Sequence, residues 1–171
     1  MSKSKPESVM STPTKPDSSP LLELSLQFGR DFESAEHKRI LSRYFVTRSL
    51  AAALKHCQQQ GAFTVRVVGE AEGRDLNGSY RQRDYATNVL TFAYASEPTA
   101  LADLVFCAPV ILKEAKALHI PLKDHYRHLL VHGALHALGY DHEVSKREAI
   151  KMERLEIEIL EQFKVPNPYL R

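Results

Sequence analysis

Cysteine is scarce in this chain. Only Cys57 and Cys107 occur among 171 residues, and they are fifty positions apart. That excludes a disulfide framework and a cysteine-based zinc ribbon. Two free thiols are the expectation for a reducing compartment, and Cys107 reads as a core thiol. Long hydrophobic runs are lacking as well. No stretch of about 18 apolar residues occurs, so no membrane span is expected. The opening Met1-Ser2-Lys3-Ser4-Lys5-Pro6 has no apolar segment of the kind a secretory signal needs. A strong charge of one sign is also absent, since 23 Lys and Arg face 21 Asp and Glu for a net +2. Such a balance permits contact with nucleic acid without arguing for it. No internal repeat is found. These absences point to a cytoplasmic protein without a membrane partner.

Among what is present, one segment stands out: His132-Gly133-Ala134-Leu135-His136-Ala137-Leu138-Gly139-Tyr140-Asp141-His142. Three of the eight histidines fall within it. His132 and His136 are four residues apart and share a face of a helix. Their imidazoles can meet at one ion, about 2.0–2.1 Å from each nitrogen. Gly139 stands where a left-handed residue would end the helix. The chain can then turn so that His142 supplies a third ligand. Three protein ligands leave a fourth position open, as catalytic zinc sites do. The spacing is that of the metzincin proteases, but Gly133 replaces the glutamate that serves them as general base. Apolar neighbours nearly all round predict a buried helix, in which unpaired imidazoles would be costly. Gly133 inside that helix suggests close approach by another backbone or by substrate. Asp141, beside a ligand, is either the acceptor of a ligand's second N–H or a turn residue.

The rest of the chain reads in order. Residues 1–20 are rich in Ser, Thr, Pro and Lys and form a disordered tail. A single domain over 21–171 follows. Leu22, Leu24, Leu26 and Phe28 alternate with polar residues, the pattern of a half-buried strand. A helical stripe runs over 35–57, long enough to contain a break, and Gly61 closes it. Strands are expected at 63–68, 88–92 and 104–106, with helices at 70–81, 109–118 and 122–138. Ser145-Lys146-Arg147-Glu148 is a capping box for a last helix, stopped by Val165-Pro166. Its apolar face is Ala149, Met152, Leu155, Ile159 and Phe163. His128, one turn before His132, reads as a buried neutral histidine; His119 and His125 read as surface residues.

With its elements so placed, the chain resembles the YbeY family of bacterial metal-dependent endoribonucleases over about residues 22–170. The H-G-x-L-H-x-x-G-Y-D-H motif from His132 to His142 carries the resemblance most specifically. Leu76-Asn77, Tyr80-Arg81, Asp84 and Thr87-Asn88-Val89-Leu90 form a second block, and Asp103-Leu104-Val105 and Pro168-Tyr169 weaker ones. Ala86, Ala93 and Ala102 depart from the pattern, where Pro, Pro and Gly are expected.

The resemblance implies an α+β, zincin-like fold, a small mixed four-stranded sheet packed against about five helices. It implies His132, His136 and His142 as ligands of one divalent transition metal, Zn2+ or alternatively Ni2+. It also implies Arg81 as the catalytic residue that grips a phosphate. The activity implied is hydrolytic cleavage of single-stranded RNA in ribosomal RNA maturation, notably at the small-subunit 3′ end, and in ribosome quality control. Small-subunit ribosomal proteins and an Era-type GTPase are the implied partners. Two other functions fit parts of the pattern. One is a metal-dependent protease, favoured by the motif spacing and opposed by Gly133. The other is a non-catalytic ribosome-assembly factor with a structural metal.

Overall fold

Strand β1 (Leu22–Phe28) alternates half-buried Leu22, Leu24, Leu26 and Phe28 with exposed polar residues, because only one of its faces is covered. The computed structural model describes residues 21–170, and the expectation for the tail over 1–20 lies outside them. After β1 come α1 (Ala35–Ile40), α2 (Arg43–His56), β2 (Gln60–Val68), α3 (Glu70–Arg81), β3 (Val89–Ala95) and β4 (Thr99–Cys107). The chain continues through α4 (Ala108–Ala117), α5 (Leu122–Ala137) and α6 (Lys146–Glu161). The sheet order is β1-β2-β4-β3. β1 and β4 run parallel to β2, and β3 pairs antiparallel with β4. The architecture is the α+β one expected, a mixed four-stranded sheet with helices. Six helices are described rather than five, because the long helical stripe breaks at Ser42, whose Oγ accepts from the Phe45 N–H at 3.3 Å and caps α2.

Two strands begin earlier than the sequence predicts. Gly61 does not end a helix. α2 stops at His56, Gln58 takes the left-handed turn at φ 55°, and Gly61 already lies within β2. A side chain at 61 would press on the Phe63 ring at 2.9 Å and on Leu54 at 3.1 Å, so glycine lets α2 sit close on the sheet. β4 starts at Thr99 and not at 104. Its first half is short on strand-forming residues, yet Ala100 and Ala102 are buried, and Leu101, Ala102 and Asp103 pair with both β2 and β3. Pairing on both sides overrides their low strand propensity. Ala93 and Ala102, two of the departures from the family pattern, lie within strands. They face each other across the β3–β4 ladder, just before a register shift.

The two faces of the sheet are covered differently. Phe63, Val65, Val67, Leu104 and Phe106 meet Leu50, Leu54, Leu130, Leu135 and Ile159 from α2, α5 and α6 in the main core. Val68, Leu90, Val105 and the buried thiol of Cys107 face the other way, toward Leu76 of α3. α5 packs into this core, and the hydroxyl of buried Tyr126 on it is hydrogen-bonded with His37 Nδ1 of α1 at 2.7 Å.

Burial lowers the pKa of His37 from its ordinary 6.5, and neighbouring Glu36 offsets this only in part. A histidine whose folded pKa is depressed binds a proton more readily when unfolded. Its contribution to stability is present at neutral pH and is lost as pH falls below about 6.5. Denaturant unfolding between neutral pH and pH 5 should show this decline, and His37→Gln should have a shallower slope.

Candidate metal centre and cleft

The last turns of α5 and the loop after it bring three imidazoles together. α5 ends as the sequence suggests. Gly139 takes φ 92°, its N–H bonds to His136 O at 3.0 Å, and Tyr140 N–H reaches back to Leu135 O at 3.0 Å. This Schellman arrangement satisfies carbonyls at the end of α5 and turns the chain so that His142 faces the helix. Ring centroids lie 4.6 Å apart for His132–His136, 5.2 Å for His132–His142 and 5.0 Å for His136–His142. One nitrogen from each of the three falls within 4.8 Å of the others. His132 Nε2 and His136 Nε2 are 3.1 Å apart. Two nitrogens at tetrahedral bond lengths from one zinc-sized ion would be separated by about 3.3 Å, so the pair fits such an ion with little adjustment. Burial, with the nearby His132 and His142, depresses the pKa of His136 to about 4. At neutral pH it therefore offers a lone pair rather than a proton.

The residue that orients His132 is one the sequence reading passes over. Glu156 of α6 is completely buried, and its carboxylate accepts from His132 Nδ1 and from the Tyr169 hydroxyl. It also faces His128 Nε2 at 3.3 Å. Burial alone would raise its pKa. Hydrogen bonds and charge from His128 and His132 outweigh burial and hold the pKa at about 2. An ionised carboxylate on Nδ1 fixes the tautomer that leaves Nε2 of His132 free for a metal. A signal was present in the sequence. Glu156 is four residues after Met152 and three before Ile159, both on the apolar face of α6, so it was bound to point inward. Asp141, by contrast, accepts the Glu143 N–H at 2.8 Å and is a turn residue. Glu156→Gln keeps the shape but loses the charge. Metal affinity should fall by about 10–100-fold, measured by competition with a chromogenic chelator.

His128, expected to be a buried neutral histidine, is half-buried and lies outside the triad, with its Nε2 3.3 Å from Glu156. His125 is not a surface residue. It is only 4% exposed, and its Nε2 meets Glu114 at 2.7 Å. Contact with Glu114 of α4 helps to cover it, whereas His119 is exposed. Glu114 also accepts from Asn88 Nδ2 at 3.1 Å and so ties the strand-entry loop to α4 and α5. Gly133 is approached neither by backbone nor by an open space for substrate. A side chain there would meet the Leu104 methyls at 3.3 and 3.4 Å and Thr91 Oγ1 at 3.5 Å.

Arg81 ends α3 on the opposite wall. Gln82 follows with φ 56° and stops the helix. Buried Asn77 donates to Tyr85 O at 2.6 Å, and Arg74 pairs with Asp84 through two bonds of 2.8 and 2.9 Å. These bonds hold the loop that follows Arg81 against α3. Arg81 is exposed and makes no ion pair among the described residues. It lines a cleft of about 450 Å³ together with His132, His136, His142, Thr91 and Tyr169. The structure thus brings the four sequence-predicted site residues to one cavity.

Comparison with known proteins places this geometry in context. The family model for endoribonuclease YbeY matches residues 30–164. An endoribonuclease YbeY from Delftia acidovorans is 51% identical over 150 residues, covering 88% of this chain and 97% of that protein. One from Polaromonas naphthalenivorans is 53% identical over 148 residues, covering 86% and 96%. The solution structure of a Thermotoga maritima protein superposes with a TM-score of 0.54 at 24% identity, covering 86% of this chain and 95% of that one, and supports the fold. Among the described residues no helix is long and apolar enough to cross a membrane. A shared metal motif would account for agreement around α5 alone; agreement at half of all positions from before α1 to beyond α6 means that the chain belongs to the endoribonuclease YbeY family.

Proposed function

We propose that the protein is a metal-dependent endoribonuclease that cuts single-stranded RNA in the cleft between α3 and α5. The observation that carries this reading is the shared cavity. Three convergent histidines stand on one wall, and on the other an arginine that makes no ion pair among the described residues. His132, His136 and His142 hold a divalent ion, zinc first by its preference for three protein ligands and an open position, nickel next among ions that suit imidazole. Such an ion would supply Lewis acidity toward a phosphoryl oxygen and would make a water more acidic. Glu156 keeps His132 in the ligating tautomer. Arg81 offers a planar fork of donors to two phosphate oxygens and neutralises charge that grows as the phosphorus is attacked.

Kinship with proteins named endoribonuclease supports RNA as substrate. We assign the biological role to ribosomal RNA maturation at the small-subunit 3′ end and to ribosome quality control in the cytoplasm. Small-subunit ribosomal proteins and an Era-type GTPase are the proposed partners. The protease reading is weaker. Position 133 has no carboxylate, and Leu104 and Thr91 fill the space beside it. A purely structural metal is also weaker, because His142 is exposed and the triad opens on the cleft.

The test is side-by-side digestion of single-stranded RNA, duplex RNA and casein, before and after chelation and after zinc or nickel is restored. Cleavage of the single strand alone, lost on chelation and regained with metal, is the expected result. Casein cleavage, or RNA cleavage indifferent to chelation, would overturn the reading.

A further inference from the structure

A second concentration of positive charge lies on another side of α5. A groove of about 420 Å³ is lined by Arg39, Arg48, Lys123 and Arg127, with the rings of Tyr44 and Phe45, and no acidic residue lines it. The whole chain carries a net charge of only +2, so four cations around one groove are a local excess. None of the four makes an ion pair among the described residues.

Two of these cations are fixed in place. The Arg127 guanidinium lies 4.4 Å from the centroid of Phe45 and 4.0 Å from that of Phe163. Stacking between two rings sets its plane and leaves its N–H edge to be matched. Its Nε is buried and has no hydrogen-bond partner. Arg48 sits over Tyr44 and Phe163, and donates to the Tyr44 hydroxyl at 3.1 Å. Burial and the nearness of Arg48 both lower the pKa of Arg127, and Asp124 only partly offsets them. Like charges held together with no direct ion pair, and only partly balanced by Asp124, form a place that favours an anion.

We propose that this groove is a second RNA-backbone site, where Arg39, Arg48, Lys123 and Arg127 hold phosphates of a strand whose other part lies in the histidine cleft. The proposal rests on the RNA-cleaving reading above. Several features favour phosphate. Paired arginine forks match its oxygens, and four cations spread along a groove match successive phosphates better than a single ion. The exposed Tyr44 ring at the rim offers a base a stacking surface, for which an acidic peptide has no use. Distance is no obstacle. Arg127 and His132 are five residues apart on α5, about 8 Å along its axis. A few nucleotides span that axial distance.

The experiment uses the full chain loaded with zinc. Binding of single-stranded RNAs of about four and about sixteen nucleotides, within the range of known strand-binding sites, is followed by anisotropy from about 50 to 200 mM salt. The Arg48→Gln, Lys123→Gln double variant removes two exposed cations. For the longer RNA, its slope of log affinity on log salt should shrink by about 1.4, that is 0.7 for each lost phosphate contact. Affinity for that RNA should drop about tenfold at the lower salt, while the short RNA binds both proteins alike. In nitrogen-15 spectra the Arg127 Nε–H signal should move with the longer RNA.

Titrations with inorganic phosphate and with a glutamate-rich peptide separate the alternatives. Movement of that signal with free phosphate but not with RNA would overturn the proposal, leaving a small-anion site. Movement with the peptide but not with RNA would overturn it in favour of an acidic protein partner. Unchanged affinity and salt slope in the double variant would overturn it too. Failure of the cleavage reading is a distinct result. In that case neither RNA is cut, yet the two lengths still differ in affinity as described, and the groove assignment stands.

Discussion

Replacing His136 with alanine should give a folded protein that no longer retains a transition metal and no longer cuts RNA above background. The side chain stands within 3.1 Å of His132 Nε2 and opposite His142, so its loss leaves two ligands where three converge. Folding should not suffer much. His136 lies near the end of α5 and is half-buried. Alanine is the better helix former and removes a buried polar ring. Thermal melts separate loss of ligation from loss of fold. At metal about 100 times its Kd, a wild-type protein that binds only when folded gains about 2.7 kcal/mol. For a chain of this size that is a rise in Tm of roughly 5–10 °C. The variant should melt near the metal-free wild-type temperature and show no rise when metal is added. Full metal content in the variant by elemental analysis would remove His136 from the ligand set.

Arg81→Leu should act on cleavage alone. Arg81 is exposed at the end of α3, outside the triad and without an ion pair among the described residues, so metal content and stability should hardly change. Exposed charges of this kind contribute about 1 kcal/mol or less. Cleavage should fall by roughly 10²–10³-fold, the scale for losing one donor to transition-state charge. Arg81→Lys should recover only part of that, since it restores charge without the bidentate fork. Near-normal cleavage by a folded, metal-loaded Arg81→Leu protein would defeat the assignment. Loss of metal from that variant would make Arg81 a support of the centre instead.

The convergence of the three histidines was legible because helix geometry acts over four residues and a glycine cap over one. His132, His136, Gly139 and His142 encode their arrangement locally. The same holds for α3, which spans Glu70–Arg81 as its sequence predicts, and for the Ser145 cap of α6, whose Oγ accepts the Glu148 N–H at 3.1 Å. What escaped the sequence depends on partners distant along the chain. The first half of β4 is a strand because β2 and β3 flank it, which no local propensity reports. His125 is interior beside Glu114 of α4, a partner eleven residues away that the local pattern of α5 does not report. Gly61 and Gly133 are glycines for packing, against Phe63 and Leu104, where a local reading favours a helix stop and a path to substrate. Arg81 is the intermediate case. Nothing in its own neighbourhood distinguishes it from other surface arginines, and only the resemblance singled it out before the cleft placed it opposite the histidines.

The contact between Glu156 and His132 has a consequence for the order in which the molecule comes apart. The imidazoles belong to α5 and its loop, but the group that aims His132 arrives on α6 and is held there by Tyr169 beyond it. Proteins open piecemeal, and peripheral elements detach at lower free energy than the centre. Any fluctuation that lifts α6 from α5 frees the imidazole to spin before the sheet has lost a single pairing. Ion release would therefore precede global melting, and the rate at which a chelator strips the protein would gauge how firmly its last helix is docked.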